Sequence, residues 1–232
     1  MWPMPTRRNT GITVTLMPHS ISCCLFEETK DNYHLKDYQK TELNDLQLEH
    51  LIVFNPSSIE SFIDQFTKKH NLKKPYTFFC LKGPSLFEST VTTKTSTPEF
   101  EEFNLPDKKN IITHSMYLYP SQDGQCRFYI AGIKRELIFQ FQLLALRSNL
   151  NLVRISPATL GMLQLYKKLK GTDFRHSQLG MDLEQNNLQF DQLVDQAHLD
   201  MLKNSSPHAI EHESGHILPA LGLFMMRNQR NE

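Results

Sequence analysis

The chain has 232 residues, 39% of them apolar, with 15 phenylalanines and 7 tyrosines, which suits one large domain or two small subdomains and excludes wholesale disorder. Lys+Arg and Asp+Glu both number 25, so no basic excess is present to neutralise phosphates, and nucleic acid is not expected as a partner. The start, "MWPMPTRRNTG", lacks the apolar core of a signal peptide. The longest apolar run, "ILPALGLFMM", is about half of the ~20 residues a spanning helix needs.

In chain order, "GITVTL" (11–16) and "ISCCLFE" (21–27), joined by "MPHS", predict a β-hairpin, with Pro18 and Ser20 supplying the turn chemistry. "YHLKDYQK" (33–40) adds a third strand, and "LIVF" (51–54) reads as a short buried one. Ile59, Phe62, Ile63 and Phe66 recur at helical spacing behind a serine-rich start, which predicts an amphipathic helix. "PYTFFCL" (75–81) is another buried strand, and the Thr-, Ser- and Pro-rich stretch 88–110 reads as loop or edge structure. "THSMYLYP" and "CRFYIAGI" form a hairpin with Asp123-Gly124 at its turn. "KRELIFQFQLLALRSNL" is a helix, "NLVRIS" a strand, and "PATLGMLQLYKKLKG" a helix from proline to Gly171. The stretch from 172 is polar and glutamine-rich, and "ILPALGLFMM" is a buried closing helix with Pro219 in its first turn. This order gives an α/β or α+β domain with mixed sheets.

The four cysteines, Cys23, Cys24, Cys80 and Cys126, contain no CxxC pair and read as reduced, buried thiols of a cytosolic protein. His212-Glu213-Ser214-Gly215-His216 matches H-E-x-x-H, with His208 one turn earlier. A zinc hydrolase needs both histidines on one helix face, the glutamate as base and a third ligand. Here Gly222 stands where a third histidine is wanted, Pro219 where glycine is wanted, and Glu232 is the only downstream carboxylate. The polar surroundings make a solvated linker the better reading. Gly83-Pro84-Ser85 reads as a turn with a serine helix cap rather than an anion site. Asp182 and Glu184 read as solvent-facing, and Lys167-Lys168 suit a helix C-terminus, without a ligand. No Walker A loop, GxGxxG or GxSxG is present. The sequence assigns no catalytic, cofactor or metal residue.

The segment 126–171, "CRFYIAGIKRELIFQFQLLALRSNLNLVRISPATLGMLQLYKKLKG", resembles the PilM/HofM family of type IV pilus assembly proteins. "GITVTLMPHSISCCLFEE" sits where that family has its opening hairpin, and Ala220, Leu221, Gly222 and Leu223 match its terminal helix. The resemblance implies an α/β, truncated actin-like (ribonuclease H-like) fold of mixed sheets packed with helices. It implies an actin-like module over 1–171, with a smaller subdomain at about 111–156. A polar segment and a C-terminal helix packing back on the module make up 172–232. Actin-like ATPases carry an aspartate and glycines in the first hairpin; here Thr13, Thr15 and Pro18 stand there. The implied role is therefore a cytoplasmic scaffold with no cofactor. Its partner would be the cytoplasmic tail of a PilN-like inner-membrane protein, with contact to the membrane only through that partner. Other pilus platform or motor components are further candidates. A surface from the hairpin at 11–27, the strand at 75–81 and the helix at 134–148 is the expected groove. The alternatives are the zinc hydrolase and a GspL-like scaffold of type II secretion.

Overall fold

The computed structural model describes residues 9–29, 33–44, 48–49, 51–53, 55–95, 110–120, 124–170 and 207–226. The centre is a five-stranded sheet in the order β10-β6-β1-β2-β3. Its members are β1 (Thr10–Met17), β2 (Ser20–Glu28), β3 (Tyr33–Glu42), β6 (Tyr76–Leu81) and β10 (Asn151–Pro157). Strands β1, β2 and β3 form an antiparallel meander, while β6 and β10 join β1 in parallel. A second sheet, β7-β9-β8, is wholly antiparallel. It consists of β7 (Leu86–Thr93), β8 (Ile111–Pro120) and β9 (Cys126–Lys134), inserted between β6 and the next helix.

Strict alternation in β1 and β2 sorts side chains to the two faces of the central sheet. Ile12, Val14, Leu16, Ile21, Cys23 and Leu25 face α1 (Pro56–Lys69) and α2 (Arg135–Arg147), and share one core cluster with Ile63, Phe66, Phe79 and Phe141. Cys24, Phe26, Phe78 and Cys80 face α3 (Ala158–Lys170) and the C-terminal helix α4 (Pro207–Met225). Each fully buried Leu, Ile or Phe contributes roughly 1.5–3 kcal/mol of transfer free energy, so helices on both faces are required to hold so apolar a sheet.

Helices α1 and α2 end by the same device. Asn71 (φ 51) and Asn149 (φ 51) take left-handed backbone. Leu72 N–H then reaches back to Thr67 O at 2.9 Å, and Leu150 N–H to Ala145 O at 2.9 Å. That is the closure usually made by glycine, here built from x-Asn-Leu.

Of the stretch 88–110, expected as loop or edge structure, residues 88–93 belong to the edge strand β7, laddered to β9 from Leu86↔Ile133 to Thr93↔Cys126. Three other local expectations are corrected. "LIVF" yields only the two-residue β5 (Ile52–Val53), paired with β4 (Leu48–Glu49) apart from the main sheet, and Ile52 is 47% exposed. Gly83-Pro84-Ser85 turns into β7, not into a helix, so it offers no helix N-terminus. Pro219 lies inside α4 rather than in its first turn, since the helix starts at Pro207.

An ion-pair cluster ties β3 to the end of α1. Asp37 Oδ2 accepts hydrogen bonds from Lys69 Nζ and His70 Nε2, both at 2.6 Å. Burial alone would push the Asp37 carboxyl up, but these two bonds, the Tyr38 backbone and the Lys69 charge together hold it below its ordinary value. A carboxyl depressed in the folded state contributes stability above its unfolded pKa and loses it as pH falls through the folded one. Asp37→Asn is expected to cost about 1 kcal/mol at neutral pH. The gap from wild type should close below about pH 4, near the ordinary carboxylate value, as read by urea denaturation across pH.

Candidate functional site

The polar face of the first hairpin lies under α4. Thr13 pairs with Cys24, Thr15 with Ser22 and Met17 with Ser20. Strand alternation turns these residues to the face opposite Ile12, Val14 and Leu16. Thr13 Oγ1 donates to Ala220 O at 3.3 Å, and Thr15 Oγ1 makes a longer contact to His216 O at 3.5 Å. His216 is 5% exposed. Its Nδ1 lies 2.9 Å from Ser22 Oγ and its Nε2 3.2 Å from Ser20 Oγ. A hydroxyl both donates and accepts, so the two serines satisfy either neutral tautomer of the ring. A zinc-bound histidine needs a free lone pair on one ring nitrogen, and both nitrogens of His216 already have partners.

This corrects the linker reading of H-E-x-x-H. The motif lies within α4, and His216 is an interior residue that joins the helix to the hairpin. His208, His212 and Glu213 stand on the same helix, but their side chains lie outside the described set, as do Asp182 and Glu184 entirely. Among the described residues no three His, Cys, Asp or Glu side chains are grouped to hold a metal. The role of Ser20 and Ser22 was missed. Their alternation with Ile21 and Cys23 was a usable signal that one hairpin face is polar.

The cysteines beneath are free. Burial pushes the Cys80 thiol up to about 12, against a hydrogen bond with Thr15, and burial raises Cys23 and Cys24 as well. These thiols stay protonated and are poor nucleophiles.

A second polar cluster stands where the two sheets meet. Tyr129 O–H donates to Glu88 Oε1 at 2.5 Å. Burial, then the Glu88 charge, raise the Tyr129 phenol, and a hydrogen bond with Thr159 works the other way. Thr159 opens α3, so this chain of contacts fastens β7 and β9 to the start of that helix.

The surface expected to carry a partner is mostly interior. Ile12, Val14, Leu16, Phe78, Phe79 and Leu81 are at most 1% exposed. Its open part is the outer side of α2, with Phe139 61% and Leu146 75% exposed. Among the described residues no helix is long and apolar enough to cross a membrane.

No protein-family model matches the sequence. No curated protein matches it. Solved structures do. A chain of the PilM-PilN type IV pilus biogenesis complex aligns with 70% of this chain at a TM-score of 0.55 and 14% identity, over 51% of its own length. Two further chains are similar at TM-scores below 0.5. One is the cytoplasmic domain of EpsL, an inner-membrane component of the type II secretion system of Vibrio cholerae (0.42, 11% identity, 66% of this chain and 57% of that one). The other is a Bacteroides thetaiotaomicron protein with actin-like ATPase fold and unknown function (0.41, 9% identity, 70% of this chain and 56% of that one). The chain thus spans a little over half the length of the structures it matches. Its fold class is α/β, with mixed sheets packed with helices, as expected. The fold is shared with the pilus-complex chain.

Proposed function

We propose that the protein is a non-catalytic scaffold of type IV pilus assembly that binds the cytoplasmic N-terminal tail of a PilN-like inner-membrane protein. It would work on the cytoplasmic side and reach the inner membrane through that partner, in support of pilus biogenesis, twitching motility or DNA uptake. The observation that carries this reading is the fold shared with the pilus-complex chain over 70% of the sequence. The absence of turnover has its own support. The hairpin that would meet a nucleotide carries Thr13 and Thr15 instead of a carboxylate, and its hydroxyls already bond to α4. The proposal divides the chain into a module over 1–171 and a segment, 172–232, whose helix packs back on it. The burial of Ile217, Leu221 and Phe224 against the central sheet and α3 supports that division.

Deleting the gene in its host and counting pili tests the reading. Pili should be lost on deletion and restored by the intact gene, including a Thr13→Val form. A deletion strain with normal pili and normal motility overturns the assignment.

A further inference from the structure

The last turn of α1 and the loop after it concentrate basic residues in a chain whose total charge balances. Lys68, Lys69, His70, Lys73 and Lys74 fall within seven consecutive positions. The Lys68 and Lys69 side chains are 80% and 50% exposed, and Lys73 and Lys74 are exposed too. Asp37 offsets part of this charge through Lys69 and His70, and Asp64 stands 3.8 Å from Lys68.

The backbone of this loop is held in an uncommon shape. Asn71 is at φ 51, which the closure of α1 explains, but Lys74 is at φ 47 directly before Pro75. A proline disfavours helical backbone in the residue before it, and left-handed backbone is unfavourable for a lysine. Such strain concentrates where a chain clamps a ligand.

Beside the loop lies a cavity of about 420 Å³ at the amino-terminal ends of β1 and β6. Thr10, Asn71, Lys73 and Tyr76 line it with hydrogen-bond donors, Leu25 and Leu72 give it an apolar wall, and none of its lining residues is acidic. The volume lies in the range of small-ligand sites. Donors around a cation suit a phosphate, and the apolar wall suits a short carbon stem attached to it. Lys68, Lys69, Lys73 and Lys74 form a compact group beside this cavity, which suits a headgroup at a surface better than a nucleic-acid backbone.

We propose that the basic stretch Lys68–Lys74, from the last turn of α1 into the following loop, and the adjoining cavity form a binding surface for anionic phospholipid headgroups, so that the protein touches a bilayer directly as well as through any partner. This does not rest on the pilus reading. An exposed lysine near an anionic surface changes partitioning by about five-fold, and salt screens the effect.

The test is co-sedimentation of the whole protein with vesicles, either phosphatidylcholine alone or with phosphatidylglycerol at about one third. The expected result is binding to the anionic vesicles only, weakened by 0.5 M salt. Lys73→Gln with Lys74→Gln should weaken it by about ten-fold or more. Lys94→Gln with Lys134→Gln removes the same charge elsewhere and should leave it unchanged. Thr10→Val, which changes no charge, should also weaken binding, which a purely diffuse charge effect would not produce. Glycerol phosphate free in solution should compete only at millimolar concentration. Equal loss in both lysine pairs, binding to phosphatidylcholine, or retention by immobilised poly-glutamate in place of vesicles would each overturn the proposal.

Discussion

Gly222→Ala is expected to destabilise the protein by about 3 kcal/mol or more, at the upper end of what overpacking costs. A methyl group on Gly222 would stand 1.8 Å from Gly161 O and 2.6 Å from its carbonyl carbon. Both are backbone atoms of α3, so no side chain can swing aside. The reverse contact is as tight: a methyl on Gly161 would meet Pro219 O at 2.2 Å. Helices α3 and α4 therefore cross backbone to backbone, and either substitution must push them apart. Leu218, Leu221 and Phe224 would then lose their seating against Leu160 and Leu163 in the shared core. Combining both substitutions should cost less than the sum, because the first already opens the crossing. Gly215→Ala gives the internal control. A methyl there meets nothing within 4 Å, so removing a helix glycine should raise stability by up to about 1 kcal/mol. Urea denaturation of the variants checks all three. Unchanged stability in Gly222→Ala would mean that the helices do not cross here.

His216→Ala should cost about 3 kcal/mol by the same measurement. It removes the partner of two hydroxyls with almost no access to water, since Ser20 is 7% and Ser22 0% exposed. An orphaned buried polar group costs about 1–3 kcal/mol, and the lost ring adds a cavity. A triple variant, His216→Leu with Ser20→Ala and Ser22→Ala, should recover most of that loss, because replacing all partners by apolar groups removes the unmet demand. If His216→Ala alone were neutral, the histidine would not be the link between hairpin and helix. Phe224 provides the apolar side of the same joint. It stacks on Phe26 at 5.4 Å and meets Phe78 and Tyr33 edge-on at 6.0 and 6.1 Å.

The local patterns of the sequence carried much of this architecture. The two short runs around the Pro18 turn placed β1 and β2, and the Ile59/Phe62/Ile63/Phe66 spacing placed α1, whose buried face holds all of these but Phe62. The resemblance to pilus assembly proteins supplied the fold class. The failures are physical ones. Strand β7 was legible only as loop or edge structure, because its Thr and Ser residues show a strand preference only when a neighbour supplies the ladder. Helix α4 hides behind Gly215, Pro219 and a polar first half, and its stability comes from packing on α3 and β1 rather than from propensity. The role of His216 is invisible locally, because its serine partners stand 194 and 196 positions away. The stops of α1 and α2 use asparagine where glycine is the familiar signal. The basic stretch at 68–74 drew no reading from the sequence, because the cavity beside it depends on β1 and β6 coming together.

Calorimetric titration of the protein with the cytoplasmic N-terminal peptide of a PilN-like inner-membrane protein from the same organism tests the scaffold reading most directly. The expected result is saturable binding at micromolar Kd or tighter, about −8 kcal/mol or better, and no saturable binding of ATP with magnesium. Absence of heat with the peptide, together with tight binding and turnover of ATP, would contradict it.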